Sequence, residues 1–214
     1  MWSMVMTVAM AGAPDWTALS SADGWAAVGT RSSDFGPVVV SHKKIGGIDC
    51  LTGVVTVDVA PEKLLAVVED VPAAVKWSSA SLRVSEVLGS ADGATRFWQQ
   101  IDVPNWTMVA DRYWVLEARS APIDSGVRYR WQRVAASTFP AVISRAEANE
   151  AGSIEPPTNW GEWVFRRSAS GTEVQYRACA DVGGSLPESV QRWVATRTLP
   201  DTVSDLVKEA RRRG

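Results

Sequence analysis

The sequence predicts an α+β fold in which a curved antiparallel sheet wraps one long C-terminal helix. Three observations carry this. Between Leu82 and Asp181 apolar residues recur mostly with a period of two, in segments joined by short Gly-, Asp- and Pro-containing links. After Leu186 the period changes: Val190, Trp193, Val194, Leu199, Val203, Leu206, Val207 and Ala210 recur at mostly helical spacing. The change falls at Gly183-Gly184, a paired-glycine turn, followed by Ser185 and Glu188 at capping-box spacing with Pro187 in the first turn.

The elements follow in order. Met1–Ala13 is apolar, and Ala9-Met10-Ala11 has the small-x-small form of a signal-peptidase site, but no Lys or Arg precedes it. Residues 1–22 therefore read as an N-terminal arm or helix, with a remnant export signal as the alternative, and 23–214 as the ligand-binding domain. Asp15-Trp16 to Val28 reads as a short helix burying Trp16, Leu19 and Trp25. Strands are expected over 38–43 and 48–57, turned by Gly46-Gly47. Pro61 starts a helix through Asp70, and a second short helix from Pro72 to Lys76 ends at Trp77. Strands follow over 82–88, 95–103, 112–119 and 127–134, then a loose segment over 135–141, then strands over 142–148, 161–167 and 172–181. Pro200 is expected to kink or split the last helix, and Arg211-Arg212-Arg213 suits its C-terminus.

Composition bounds the function. A net charge of −2 with 21% charged residues lacks the clustered basic excess of a nucleic-acid binder. One histidine, His42, and two distant cysteines do not make the three- or four-ligand set of a zinc site. Cys50 and Cys179 read as two buried free thiols, with a disulfide as the alternative in an oxidising compartment. No G-x-S-x-G, H-E-x-x-H or phosphate loop is present, so no cofactor is expected. Eleven tryptophans against four phenylalanines favour amphipathic walls and interfaces.

Alternation selects the inner face. Phe97, Gln99 and Ile101 oppose Arg96, Trp98 and Gln100; Trp114, Leu116 and Ala118 oppose Glu117 and Arg119. Tyr129, Trp131 and Arg133 oppose Arg128, Arg130 and Gln132. Trp163 and Phe165 oppose Glu162 and Arg166, and Val174 and Tyr176 oppose Glu173, Gln175 and Arg177. A curved sheet presents more inner surface than one helix fills, so these residues, with Val190, Trp193 and Val194 on the helix, are the expected ligand-binding set.

Several motifs resemble the START (StAR-related lipid transfer) domain. They are Trp25 before the 38–44 strand, Pro61, Trp77, Asp111-Arg112-Tyr113-Trp114-Val115 and Gly161-x-Trp163-x-Phe165. Thr172-Glu173-Val174-x-Tyr176, Asp181-x-Gly183-Gly184-x-Leu186-Pro187 and Leu199-Pro200-Asp201-Thr202 complete the order. The resemblance spans roughly 24–212 and is nearest to bacterial members. It implies a helix-grip fold, a hydrophobic tunnel, and transfer or sensing of one lipid. Many START cavities hold an acidic residue facing an arginine; the matching positions here are Gln99 and Ala118, so that pair is absent.

The expected function is binding of one lipid or other hydrophobic small molecule, by a cytoplasmic monomer without enzymatic activity, with export to the periplasm as the alternative location. An aromatase/cyclase-like enzyme acting on a polyketide or similar substrate is the second reading, with His42 as its first acid–base candidate. Membrane contact is expected to be transient, with Phe139 and Ile143 at the tunnel mouth and Gly183, Gly184 and Pro200 gating the helix.

Overall fold

The structure is a computed structural model that describes residues 13–103, 109–181 and 188–214, with side chains of the last helix described from Thr196 onward. Nine strands form one antiparallel sheet: β1 (Ala26–Ser33), β2 (Gly36–Ile45), β3 (Ile48–Val57), β4 (Leu82–Ala91), β5 (Ala94–Ile101), β6 (Arg112–Ile123), β7 (Gly126–Val134), β8 (Thr158–Ser168) and β9 (Gly171–Asp181). Their order is β1-β2-β3-β9-β8-β7-β6-β5-β4. Every neighbouring pair joins strands consecutive in sequence except β3–β9, where Gly53 lies opposite Tyr176. That non-local pair joins the N-terminal three strands to the other six.

The helices are α1 (Trp16–Ser20), α2 (Pro61–Glu69), α3 (Ala74–Trp77), α4 (Pro140–Asn149) and α5 (Glu188–Arg212), with a 3₁₀ turn at Val71–Ala73 between α2 and α3. α2 and α5 pack into the concave face. Val38, Val40, Val55, Phe165 and Val174 of the sheet meet Leu64, Val67, Leu199, Val203, Leu206 and Val207 of the two helices. Pro200 does not split α5, which runs unbroken through it. The magnitudes explain why. An interior proline costs about 3 kcal/mol, whereas burying Leu199, Val203, Leu206 and Val207 returns roughly 1.5–3 kcal/mol apiece.

The convex face is not uniformly wet, contrary to the alternation. α4 covers Trp98, Tyr113 and Val115, and α1 covers Trp160 and the two cysteines. The strand expected over 142–148 is α4 instead. Pro140 stands in its first turn, as Pro61 does in α2, and Val142 and Ala146 bury one helical face at a spacing of four. The helix expected from Trp16 to Val28 stops at Ser20, because Gly24 takes a positive φ of +80° and the chain then extends into β1.

Cys50 and Cys179 are bonded rather than free. They lie opposite each other in the β3–β9 pair with Cα atoms 4.1 Å apart. Both are fully buried beneath Leu19 and Trp16 of α1. Beside them Glu162, fully buried, accepts from Arg130 Nε at 2.9 Å and pairs with Arg177, while the Arg130 guanidinium stacks 4.6 Å from the Trp16 ring.

Candidate functional site: a cavity under the C-terminal helix

A cavity of about 640 Å³ lies between the concave face, the α2–α3 segment and α5. Two glycines make room around it. Gly53 lets Leu199 of α5 sit on the backbone of β3, where a Cβ would collide with the Leu199 Cδ2. Gly161 lets the Trp131 indole lie across β8, where a Cβ would come within 2.5 Å of Trp131 Cζ2.

Of the residues expected inside, Phe97, Gln99, Ile101, Trp114 and Leu116 line the cavity from β5 and β6. Tyr129, Trp131, Trp163 and Tyr176 line it from β7, β8 and β9. Ala118, Phe165 and Val174 share that face but pack into the solid end of the core. Arg133 leaves the wall to pair with Glu155 at 2.6 Å. The side chains of Val190, Trp193 and Val194, and all of Gly183 and Gly184, lie outside the described residues. Pro200 is a buried position of α5.

The mouth assignment of the 135–143 segment is corrected. Phe139 packs with Trp98 and Val142 on the convex face, and Ile143 sits on the exposed side of α4. Neither borders the cavity. Conversely, Trp77, Ser78 and Ala80 of the α3 end, Asn159 of β8, and Asp49 and Asp181 line it without having been expected there. The apolar stripe of α2–α3 was a readable signal for the first group. A lone Asn or Asp at a strand end carries no such signal.

The rings form a continuous wall. Tyr176 lies 4.4 Å from Trp163, tilted by 43°, and 5.7 Å from Trp131, stacked within 17°; Trp163 stacks on Phe165 at 5.9 Å. Trp131 Nε1 donates to Asn159 Oδ1 at 2.9 Å, which fixes the indole. Burial pushes the Tyr176 hydroxyl up to about 12, so it stays protonated. Burial likewise raises Tyr129, and the nearby Glu69 carboxylate adds to the effect. The indole N–H groups of Trp77 and Trp114 are buried and have no hydrogen-bond partner among the described residues. Gln99 Nε2 donates to Ser85 Oγ at 3.0 Å, and Ser85 Oγ donates to the Val71 carbonyl at 2.7 Å. At one edge of the cavity Asp49 Oδ1 lies 2.5 Å from His42 Nε2. Among the described residues no group of three or more His, Cys, Asp or Glu side chains is placed to hold a metal ion.

No protein-family model matches this sequence, and no curated protein sequence matches it. Solved structures do. A STAR-related lipid transfer protein from Xanthomonas axonopodis superposes with a TM-score of 0.66 at 23% identity, over 89% of this chain and 98% of that one. Human StAR-related lipid transfer protein 5 superposes with a TM-score of 0.74 at 16% identity, over 92% and 90%. The Zhui aromatase/cyclase from a Streptomyces species superposes with a TM-score of 0.54 at 13% identity, over 77% and 95%. The chain therefore has the helix-grip fold of START domains. At these identities the likeness establishes fold, and function rests on the site.

Proposed function

We propose that this protein binds a single lipid or other hydrophobic small molecule in the cavity under α5, for transfer or sensing, without turning it over. The carrying observation is the cavity itself: about 640 Å³ of space walled by Trp114, Trp131, Trp163 and Tyr176. Transfer would require brief membrane contact, and the β2–β3 turn, whose Gly47 and Ile48 border the cavity, is better placed for it than α4. The Cys50–Cys179 bond supports the periplasmic alternative over the cytoplasm, since disulfides persist mainly where the surroundings are oxidising.

Native mass spectrometry of the protein purified from its own host tests the reading. A single co-purifying hydrophobe of constant mass is expected; a ligand-free protein that takes up no hydrophobe on incubation overturns it. One observation favours a second, enzymatic reading: the His42–Asp49 contact puts an acid–base pair at the cavity edge. Time-dependent conversion of the bound compound, abolished by His42→Ala, would establish it.

A further inference from the structure

We propose that the ligand is an uncharged, single-chain or fused-ring hydrophobe whose polar end is a hydroxyl donating to Gln99 Oε1. This rests on the carrier reading above and narrows it.

The amide of Gln99 has one orientation. The Val71 carbonyl can only accept, so Ser85 spends its proton there and must accept from Gln99. Only the Nε2 side of the amide can supply that hydrogen. Ser85 is itself buried, at 7% exposure, and the relay is anchored in the 3₁₀ turn after α2. Oε1 is consequently turned away from Ser85. It has no hydrogen-bond partner among the described residues, yet it belongs to a side chain that lines the cavity. A fixed acceptor in the wall rewards a ligand O–H, and the lone pairs of the same hydroxyl can meet the indole N–H groups of Trp77 and Trp114, which have no partner among the described residues.

Charge and size narrow the class further. The charged groups among the described lining residues are two carboxylates, Asp49 and Asp181, and Asp49 is held by His42. Neither is a counter-ion for a fatty-acid carboxylate or a phosphate, and burying such an anion unpaired is costly. A cavity of about 640 Å³ lies in the range of roughly 300–1,000 Å³ that encloses one drug-sized molecule. One acyl chain or one fused-ring skeleton is of that size. A two-chain phospholipid is larger.

The test uses the full-length protein, native mass spectrometry and intrinsic tryptophan fluorescence, with hexadecanol, hexadecanoate and dipalmitoylphosphatidylcholine as probes at a pH where the acid is ionised. Hexadecanol is expected to bind one to one and at least about tenfold more tightly than hexadecanoate, with no phospholipid adduct. Gln99→Leu should remove most of that preference by weakening the alcohol alone. Ser85→Ala, which frees the amide to rotate, should reduce it as well, and it serves if Gln99→Leu does not fold. Equal or tighter binding of hexadecanoate, or a phospholipid adduct, overturns the proposal while leaving a hydrophobe carrier intact. Failure of every probe to bind overturns both.

Discussion

Leu199 of α5 rests directly on Gly53 of β3, in a gap that also brings Val38 Cγ1 within 3.1 Å of where a Gly53 Cβ would stand. The helix is seated on the sheet by the absence of a side chain. Gly53→Val should lift α5, at a cost of about 1–3 kcal/mol from overpacking, and speed ligand release. Urea denaturation and a vesicle-to-vesicle exchange assay read the two effects; unchanged exchange would place the exit elsewhere.

Ala178 of β9 lines the cavity beside Tyr176. Ala178→Trp should fill the space and abolish ligand uptake while the near-ultraviolet circular dichroism stays native. Ala118 is the poorer site for such a plug, since it is only 2% exposed and sits in solid core. Full uptake by Ala178→Trp would show that the cavity is not where ligand binds.

Glu162 is completely buried between two arginines, and Arg177 is itself only 6% exposed. Glu162→Leu strands a buried cation and should cost about 3–5 kcal/mol. Adding Arg177→Met in the same chain should recover much of that loss. Chemical denaturation of the single and double variants gives the coupling.

Glu209, near the end of α5, is held at about 2 by hydrogen bonds from Arg212 and Arg213, against burial, which alone would raise it. Its ordinary value is 4.5. A depressed carboxylate contributes stability that is complete above the unfolded value and is lost as pH falls through the folded one. Wild type should therefore melt higher than Glu209→Gln at pH about 6, and the gap should narrow as the pH falls from about 4.5 toward about 2. A gap independent of pH would mean that the arginines contribute through packing alone.

The disulfide closes a loop with a sequence separation of 129. Replacing both cysteines by alanine should cost about 2–4 kcal/mol. Because Leu19 of α1 covers the bond, Leu19→Ala should also accelerate its reduction by a small thiol. Equal reduction rates in parent and variant would show that the bond is reached from another side.

Most of the sheet was legible because one side of each strand faces a large apolar core, so alternation reports the face directly. It failed where both faces are covered. Trp98 and Trp160 stand at outward positions and are buried, because α4 and α1 lie over them. A tryptophan among outward polar residues is a local sign of such a cover, although it does not say which segment supplies it. The 142–148 stretch reads as a strand in sequence because Val142 and Ala146, four apart, fit a strand's period of two as well as one face of a helix. The cavity wall was legible from the alternating aromatics. The Gln99–Ser85–Val71 relay was not, since it joins three segments whose proximity only the folded chain defines.

The sheet order has a consequence for the time course of synthesis. β3 borders β9, so that edge of the N-terminal three strands stays unpaired until β9 has been made. At about 5–20 residues per second, the 129 positions between Cys50 and Cys179 take on the order of 6–26 s to translate. Through that interval Cys50 has no partner thiol in its own chain, and the strand carrying it is open to pairing with another nascent copy. Contacts this distant in sequence form slowly. The β3–β9 seam is thus the last part of the sheet to close, and intermolecular Cys50 pairing is the misassembly that a folding helper would have to prevent.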